Sequence, residues 1–191
     1  ARLRAQLPRV ALWLQVDDGS GHGLLPGALD YEAALADAEP QEPSGLSPDD
    51  LYILYTGGTT GMPKGVLWRS ADIYVGAMGG RRPDGGVHAS LDEVPAVARA
   101  GGQMRTLVGP PLMHGAAQWG SFIMMSMGNA VVFPNDPTRL DPDDVLSTIE
   151  RERCASITIV GDAFARPLLD QMERRRYDLS GLLVIGSGGA P

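Results

Sequence analysis

Thr56, Gly57, Gly58, Thr59, Thr60, Gly61 and Lys64 fall within one short stretch, Tyr55-Thr-Gly-Gly-Thr-Thr-Gly-Met-Pro-Lys-Gly65, between the apolar runs Leu51–Tyr55 and Val66–Trp68. Glycines let backbone N–H groups converge on an anion, threonine hydroxyls donate further hydrogen bonds, and a lysine brings positive charge on a long stem. Together they suit a polyphosphate. The stretch is not a Walker A loop, which sets glycine directly before the lysine and opens a helix there. Here Pro63 precedes Lys64, and Gly65-Val-Leu-Trp68 reads as a strand. The pattern therefore predicts a hairpin lid over the phosphates. By composition alone an ordinary surface turn is the commoner outcome for such a loop.

A second group begins at Pro110-Pro-Leu-Met-His-Gly115, at the junction of a strand and a helix. A lone histidine such as His114 is more often a satisfied structural residue than a ligand. In the following helix Gly115, Ala116, Ala117 and Gly120 leave volume beside Trp119, Phe122 and Met124, which core packing also explains. No acidic residue occurs between Arg105 and Asp136. A buried ammonium there would lack its counter-charge, a penalty of several kcal/mol. The run Gly186-Ser-Gly-Gly-Ala-Pro191 follows an apolar strand and does not match the dinucleotide-binding fingerprint.

The Tyr55–Gly65 string resembles the phosphate loop of the adenylate-forming superfamily: acyl-CoA synthetases, luciferases and the adenylation domains of peptide synthetases. Their pattern is Tyr-Thr-Ser-Gly-Thr-Thr-Gly-x-Pro-Lys-Gly. This chain departs from it only at Gly57, so one hydroxyl contact to the phosphates is not carried over. Glycine at this position, and the segment Thr158–Leu169, look like actinobacterial fatty-acid and sterol acyl-CoA ligases. The resemblance implies that a carboxylic acid reacts with ATP to give acyl-AMP, and that coenzyme A then displaces AMP. It assigns Thr56–Gly61 and Lys64 to the phosphates, with Mg2+ as metal cofactor. His114 joins Lys64 as catalytic and lies beside the acid carboxylate. Gly115, Ala116 and Trp119 fall to the acyl pocket, and Gly188, Gly189, Ala190 and Pro191 to the adenine wall.

In amino-acid-activating relatives an aspartate stands where this chain has Gly115, which favours a fatty, sterol-derived or aryl acid here. Replacing Gly115 by Asp is then expected to harm use of apolar acids more than ATP affinity. The family's Tyr-Gly-x-Thr-Glu segment with its magnesium-holding glutamate, its ribose-gripping Thr-Gly-Asp and the lysine of its small C-terminal domain are not found in the sequence. The resemblance thus places residues 46–191 in the centre of the AMP-binding N-terminal domain, with 1–45 a weakly matched segment and linker and the C-terminal domain absent. Both ends look cut, and the piece alone is expected to be inactive. The alternatives are transfer of the acyl group to a carrier protein, or a non-catalytic nucleotide- or acyl-binding fragment.

Several elements must position these groups. Val10–Val16 reads as a strand, 31–39 as a short helix, and Ser70 as the cap of a helix to Met78. Residues 79–102 form an irregular excursion with a short helix over Leu91–Ala100. Thr106–Val108, Ala130–Phe133, Ser156–Val160 and Leu182–Ile185 read as strands. Helices lie between them: Gly115–Met127 stopped by Gly128-Asn129, one capped by Asp141 with Pro142 in its first turn, and one opened by Asp162 with Pro167 as a kink or the true start. This alternation predicts an α/β fold, a mostly parallel sheet flanked by helices.

With 191 residues and 43% apolar content, one sizeable core is affordable. The net charge of −7 argues against nucleic acid. Cys154 is the sole cysteine, reads as a small buried residue, and fits a reducing cytoplasm. No signal peptide is visible. Thr106–Asn135 carries no formal charge, but Pro110, Pro111 and its glycines break any membrane-spanning helix. Peripheral membrane contact and homo-oligomerisation stay open.

Overall fold

In the computed structural model, which describes residues 4–56 and 62–189, the chain falls into two units, Ala1–Leu46 and Ser47–Pro191. In the first, β1 (Leu14–Gln15) pairs in parallel with β2 (Leu29–Asp30), and α1 (Tyr31–Ala36) follows. Asp30 Oδ1 caps α1 by accepting from the Ala33 N–H at 2.9 Å. The strand expected over Val10–Val16 contracts to two residues: only Leu29-Asp30 offers a partner backbone, and Leu12, Leu14 and Val16 are exposed. The helix expected to reach residue 39 ends at Ala36, with Asp37 as its C-cap.

The second unit opens with an antiparallel hairpin of β3 (Leu51–Thr56) and β4 (Lys64–Arg69). Its register sets Tyr52 opposite Trp68, Leu54 opposite Val66, and Thr56 opposite Lys64. The strand period of two puts these six side chains on one face and Leu51, Ile53 and Leu67 on the other. Helix α2 (Ser70–Ala77) follows directly. Arg69, not Ser70, occupies its cap position, and the Ser70 hydroxyl donates to the Asp50 carbonyl at 2.8 Å. The excursion after α2 is pinned by an Arg81–Val87 bridge and a 3-10 turn, Leu91–Glu93, that leads into α3 (Val94–Ala100).

The sheet is built from β5 (Arg105–Val108), β6 (Ala130–Val132), β7 (Ser156–Ile159) and β8 (Val184–Ser187), all parallel in the order β6-β5-β7-β8. The connecting helices are α4 (Gly115–Ser126), α5 (Pro142–Glu152) and α6 (Gly161–Arg174). The expected parallel α/β architecture is therefore what forms. Leu107, Ile157 and Ile159 pack with Val145, Leu146 and Ile149 of α5 and Leu168 of α6 into the core, joined by the fully buried Cys154. The alternate residues Thr106 and Ser156 share a 2.7 Å hydroxyl–hydroxyl hydrogen bond on the opposite face, where α4 packs.

Helix ends follow local chemistry. Asp141 Oδ1 accepts from the N–H groups of Asp143 and Asp144 at 3.0 and 3.3 Å. Gly128, at φ +77°, terminates α4 in the left-handed region that glycine adopts without strain. Pro167 is neither the start nor the end of α6 but lies inside it. The bond it cannot make belongs to the carbonyl of Ala163, an exposed residue where water can substitute. Among the described residues no helix is long and apolar enough to cross a membrane.

Candidate active site

The chain leaves β5 for β6 on one side and leaves β7 for β8 on the other, so the connections diverge at the carboxyl ends of the adjacent strands β5 and β7. Such switch points leave a crevice in open α/β sheets. A cavity of about 390 Å³ lies there. Pro110, Pro111, His114, Gly115 and Ala116 line it from the β5–α4 junction, and Val160 and Phe164 from the β7–α6 junction. Gly188 and Gly189, just beyond β8, form a further wall, and Leu54, Tyr55 and Thr56 reach in from the hairpin. Four segments distant in sequence thus share one enclosure, and among the described residues its lining contains no carboxylate.

His114 is the N-cap of α4, with extended backbone angles and no side-chain cap hydrogen bond. Its N–H donates to the Pro111 carbonyl at 3.0 Å, and its carbonyl accepts from Gln118 N–H at 3.0 Å. The backbone is fixed while the imidazole stands at the cavity wall. Helix N-termini carry partial positive charge, which favours an anionic group at this end of α4.

Gly115 has a definite steric reason. A β-carbon on it would sit 2.8 Å from Leu54 Cδ2 and 3.2 Å from Trp119 Cζ2. The hairpin thus leans against the first residue of α4, and the space expected there for an acyl group is shared with Leu54. On the far wall, the Gly188 N–H donates to the Ile159 carbonyl at 3.2 Å, which ties the turn after β8 to β7.

The structure gathers Thr56, His114, Gly115, Ala116, Gly188 and Gly189 at this cavity. Lys64 begins β4 directly across from Thr56, whose hydroxyl donates to the Lys64 carbonyl at 3.4 Å. Gly57, Gly58, Thr59, Thr60 and Gly61 lie outside the described residues, as do Ala190 and Pro191. Trp119 is not in the lining: its Nε1–H donates to the Tyr52 hydroxyl at 3.1 Å, and its ring meets Trp68 edge-on at 6.4 Å. Phe164 and Leu54 went unnoticed in the sequence. The alternation of β3 hinted at Leu54, but nothing local marked Phe164.

A second cavity, of about 580 Å³, lies behind the wall formed by Pro110, Pro111 and Phe164. Phe133, Pro134, Leu140 and Val145 make its interior apolar, and no described residue of the hairpin lines it. Two exposed arginines of this unit are held in ion pairs. Arg175 pairs with Asp143 at 2.9 Å and lies 4.8 Å over the Tyr177 ring, while Arg166 pairs along its own helix with Asp162 at 2.7 Å. Among the described residues no cluster of three or more His, Cys, Asp or Glu is placed to hold a metal ion.

Residues 3–191 match the family described as AMP-binding enzyme. The chain belongs to that family. It is 48% identical over its whole length to the medium-chain acyl-CoA ligase Mig of Mycobacterium avium, of which it covers 35%. It is 35% identical over its whole length to the 3-oxocholest-4-en-26-oate–CoA ligase of Rhodococcus rhodochrous, again covering 35% of that protein. The chain therefore spans about a third of the length of these curated AMP-binding relatives. Among solved structures, the N-terminal domain of FACL13 from Mycobacterium tuberculosis superposes with a TM-score of 0.61 at 25% identity, over 84% of this chain and 36% of that one. The anthranilate CoA ligase AuaEII bound to anthranoyl-AMP gives a TM-score of 0.64 at 22% identity, over 97% of this chain and 33% of that one, and shares the fold.

Proposed function

We propose that the intact protein activates an apolar carboxylic acid with ATP and passes the acyl group to coenzyme A. The observation that carries this reading is the joint lining of one cavity by Thr56 of the phosphate hairpin, by His114–Ala116, and by Gly188–Gly189. In the first step a carboxylate oxygen attacks the α-phosphorus, the bond from that phosphorus to the bridging oxygen of the β-phosphate breaks, and pyrophosphate departs. In the second, the sulfur of coenzyme A attacks the acyl carbon and AMP leaves with the bonding electrons. Both partners in the first step are anions, so fixing their line of approach and offsetting their charge supply most of the catalysis.

In this reading Thr56 and the backbone and hydroxyls of Gly57–Gly61 hold the β- and γ-phosphates, with Lys64 as the clamping charge. His114 and the α4 N-terminus receive the carboxylate. Ala116 and Gly115 border the first carbons of the acid, and Gly188–Pro191 lie against adenine. Mg2+ would travel with the triphosphate; among the described residues the cavity lining offers it no carboxylate, and no step is assigned to it.

A lining without a carboxylate among the described residues, and the contact of Leu54 with Gly115, disfavour the aspartate that a substrate ammonium would need. The relatives are described as ligases of medium-chain and 3-oxocholest-4-en-26-oate acids. We therefore place the substrate among medium-chain fatty or sterol-derived acids. Cys154 is the only cysteine of the sequence, so no intrachain disulfide forms, which suits the cytoplasm as the working compartment. The test is ATP–pyrophosphate exchange with a panel of fatty, sterol-derived, aryl and amino acids, followed by addition of coenzyme A. Exchange with the apolar acids and thioester formation are expected. Exchange with none of them would overturn the proposal.

A further inference from the structure

The hairpin and α4 meet along a ladder. Tyr52, Leu54 and Thr56 share one face of β3, and each reaches a different level of the neighbouring helix end. The Tyr52 hydroxyl donates to Gln118 Oε1 and accepts from Trp119 Nε1–H at 3.1 Å. Leu54 occupies the space above Gly115, and Thr56 extends past the helix into the cavity beside His114. The spacing is matched: two residues of strand advance about 6.6 Å, and the three or four from Gly115 to Gln118 and Trp119 advance about 4.5–6 Å along the helix axis. Trp68, across from Tyr52, closes the root with its edge-on contact to Trp119.

We infer that the Tyr52 hydroxyl, held by Gln118 and Trp119, is the tie that sets the register of the phosphate hairpin against the acid-binding helix, and that these three are positioning residues for the nucleotide. This rests on the reading of the site given above. Tyr52 touches no part of that cavity, so it acts on ATP only through where Thr56 and Lys64 come to lie. A side chain present only to fill space would not need both of its hydrogen bonds. With them, one atom connects two elements separated by the whole β4–β5 segment.

The experiment compares Tyr52→Phe and Trp119→Phe with wild type in the intact protein. Tyr52→Phe keeps the ring and loses both bonds; it is expected to raise the KM for ATP about fivefold while leaving the KM for the acid and the thermal midpoint nearly unchanged. Amide exchange in residues 51–56 and 64–69 should accelerate about fivefold, with β5 and β7 unaffected. Because both bonds end on one oxygen, adding Trp119→Phe to Tyr52→Phe should worsen the ATP parameters far less than the product of the single effects. Unchanged hairpin exchange in Tyr52→Phe, or equal losses in ATP and acid parameters together with a lowered midpoint, overturns the tie. Wild-type protein without ATP–pyrophosphate exchange would instead overturn the functional reading, and hydrogen exchange alone then decides whether the tie exists.

Discussion

Leu107, Ile157 and Ile159 of the parallel sheet are sealed under α5 and α6, whereas Leu51, Ile53 and Leu67 on the outer face of the β3–β4 hairpin are exposed. The central strands β5 and β7 draw their order from burial, on the α4 face as well as under α5 and α6. The hairpin draws its order from its own ladder and from one face laid against α4. The surfaces that must not move, the α4 N-terminus and the turn after β8, grow out of the sheet. In the proposed reading the groups that grip and release a polyphosphate belong to the singly supported element, where Thr56 and Lys64 face each other. Rigidity and reach are thus divided between two parts of one unit.

The largest effect should come from breaking the rigid half. Leu107→Ala removes a fully buried side chain and is expected to destabilise the protein by about 2–5 kcal/mol, read as a fall in denaturation midpoint. Ile53→Ala, on the outer face of the hairpin, should change stability by no more than about 0.5 kcal/mol. Similar losses at both would erase the contrast. Lys64→Ala should leave stability alone and lower kcat/KM for ATP about ten- to a hundredfold, the loss of one charge-assisted contact of about 1.5–3 kcal/mol. Wild-type ATP dependence in this variant would remove the lid from the mechanism.

Gly115→Ala tests the contact between the halves. Its β-carbon would come 2.8 Å from Leu54 Cδ2, and such overpacking costs about 1–3 kcal/mol. Both ATP and acid parameters should therefore move, measured by varying each substrate in turn. Gly115→Asp adds a carboxylate at the same place, where the expectation is a larger loss in use of apolar acids than in ATP affinity. Asp positions its β-carbon at the same point and must displace Leu54 as well.

The smallest effect concerns the α5–α6 surface. The hydrogen bond from Tyr177, then the charge and hydrogen bond of Arg175, hold the Asp143 carboxyl below the ordinary aspartate range, against a desolvation that raises it. A depressed folded-state pKa contributes stability that is present above the unfolded value of about 3.9 and lost as pH falls through the folded value. The midpoint of Tyr177→Phe should accordingly lie below wild type at neutral pH and converge on it as the solution is acidified below pH ~4. A constant gap across that range would assign the effect to packing.

Much of this was legible locally. The Asp141-Pro142 start, the Gly128 stop and the alternation of strands and helices are decided by neighbours a few residues apart, and the structure keeps them. The short β1 and the location of Trp119 were not. A strand's length depends on whether another backbone lies alongside, and β1 finds only two residues of partner. Trp119 reads as a pocket wall in the helix sequence, yet Tyr52, far earlier in the chain, supplies the acceptor for its indole N–H. Pro167 left a kink inside the helix and a later helix start both open, because the sequence does not tell whether the orphaned carbonyl will meet water.

By itself the sequence determined the chemistry on offer: which residues can bind phosphate, which run cannot counter an ammonium, and that a parallel α/β sheet would carry them. Only the tertiary structure decided which of these groups share a cavity and that a side chain at Gly115 would have to displace Leu54. Composition and periodicity act over a few residues, whereas enclosure and steric exclusion depend on segments brought together by the order of strands in the sheet.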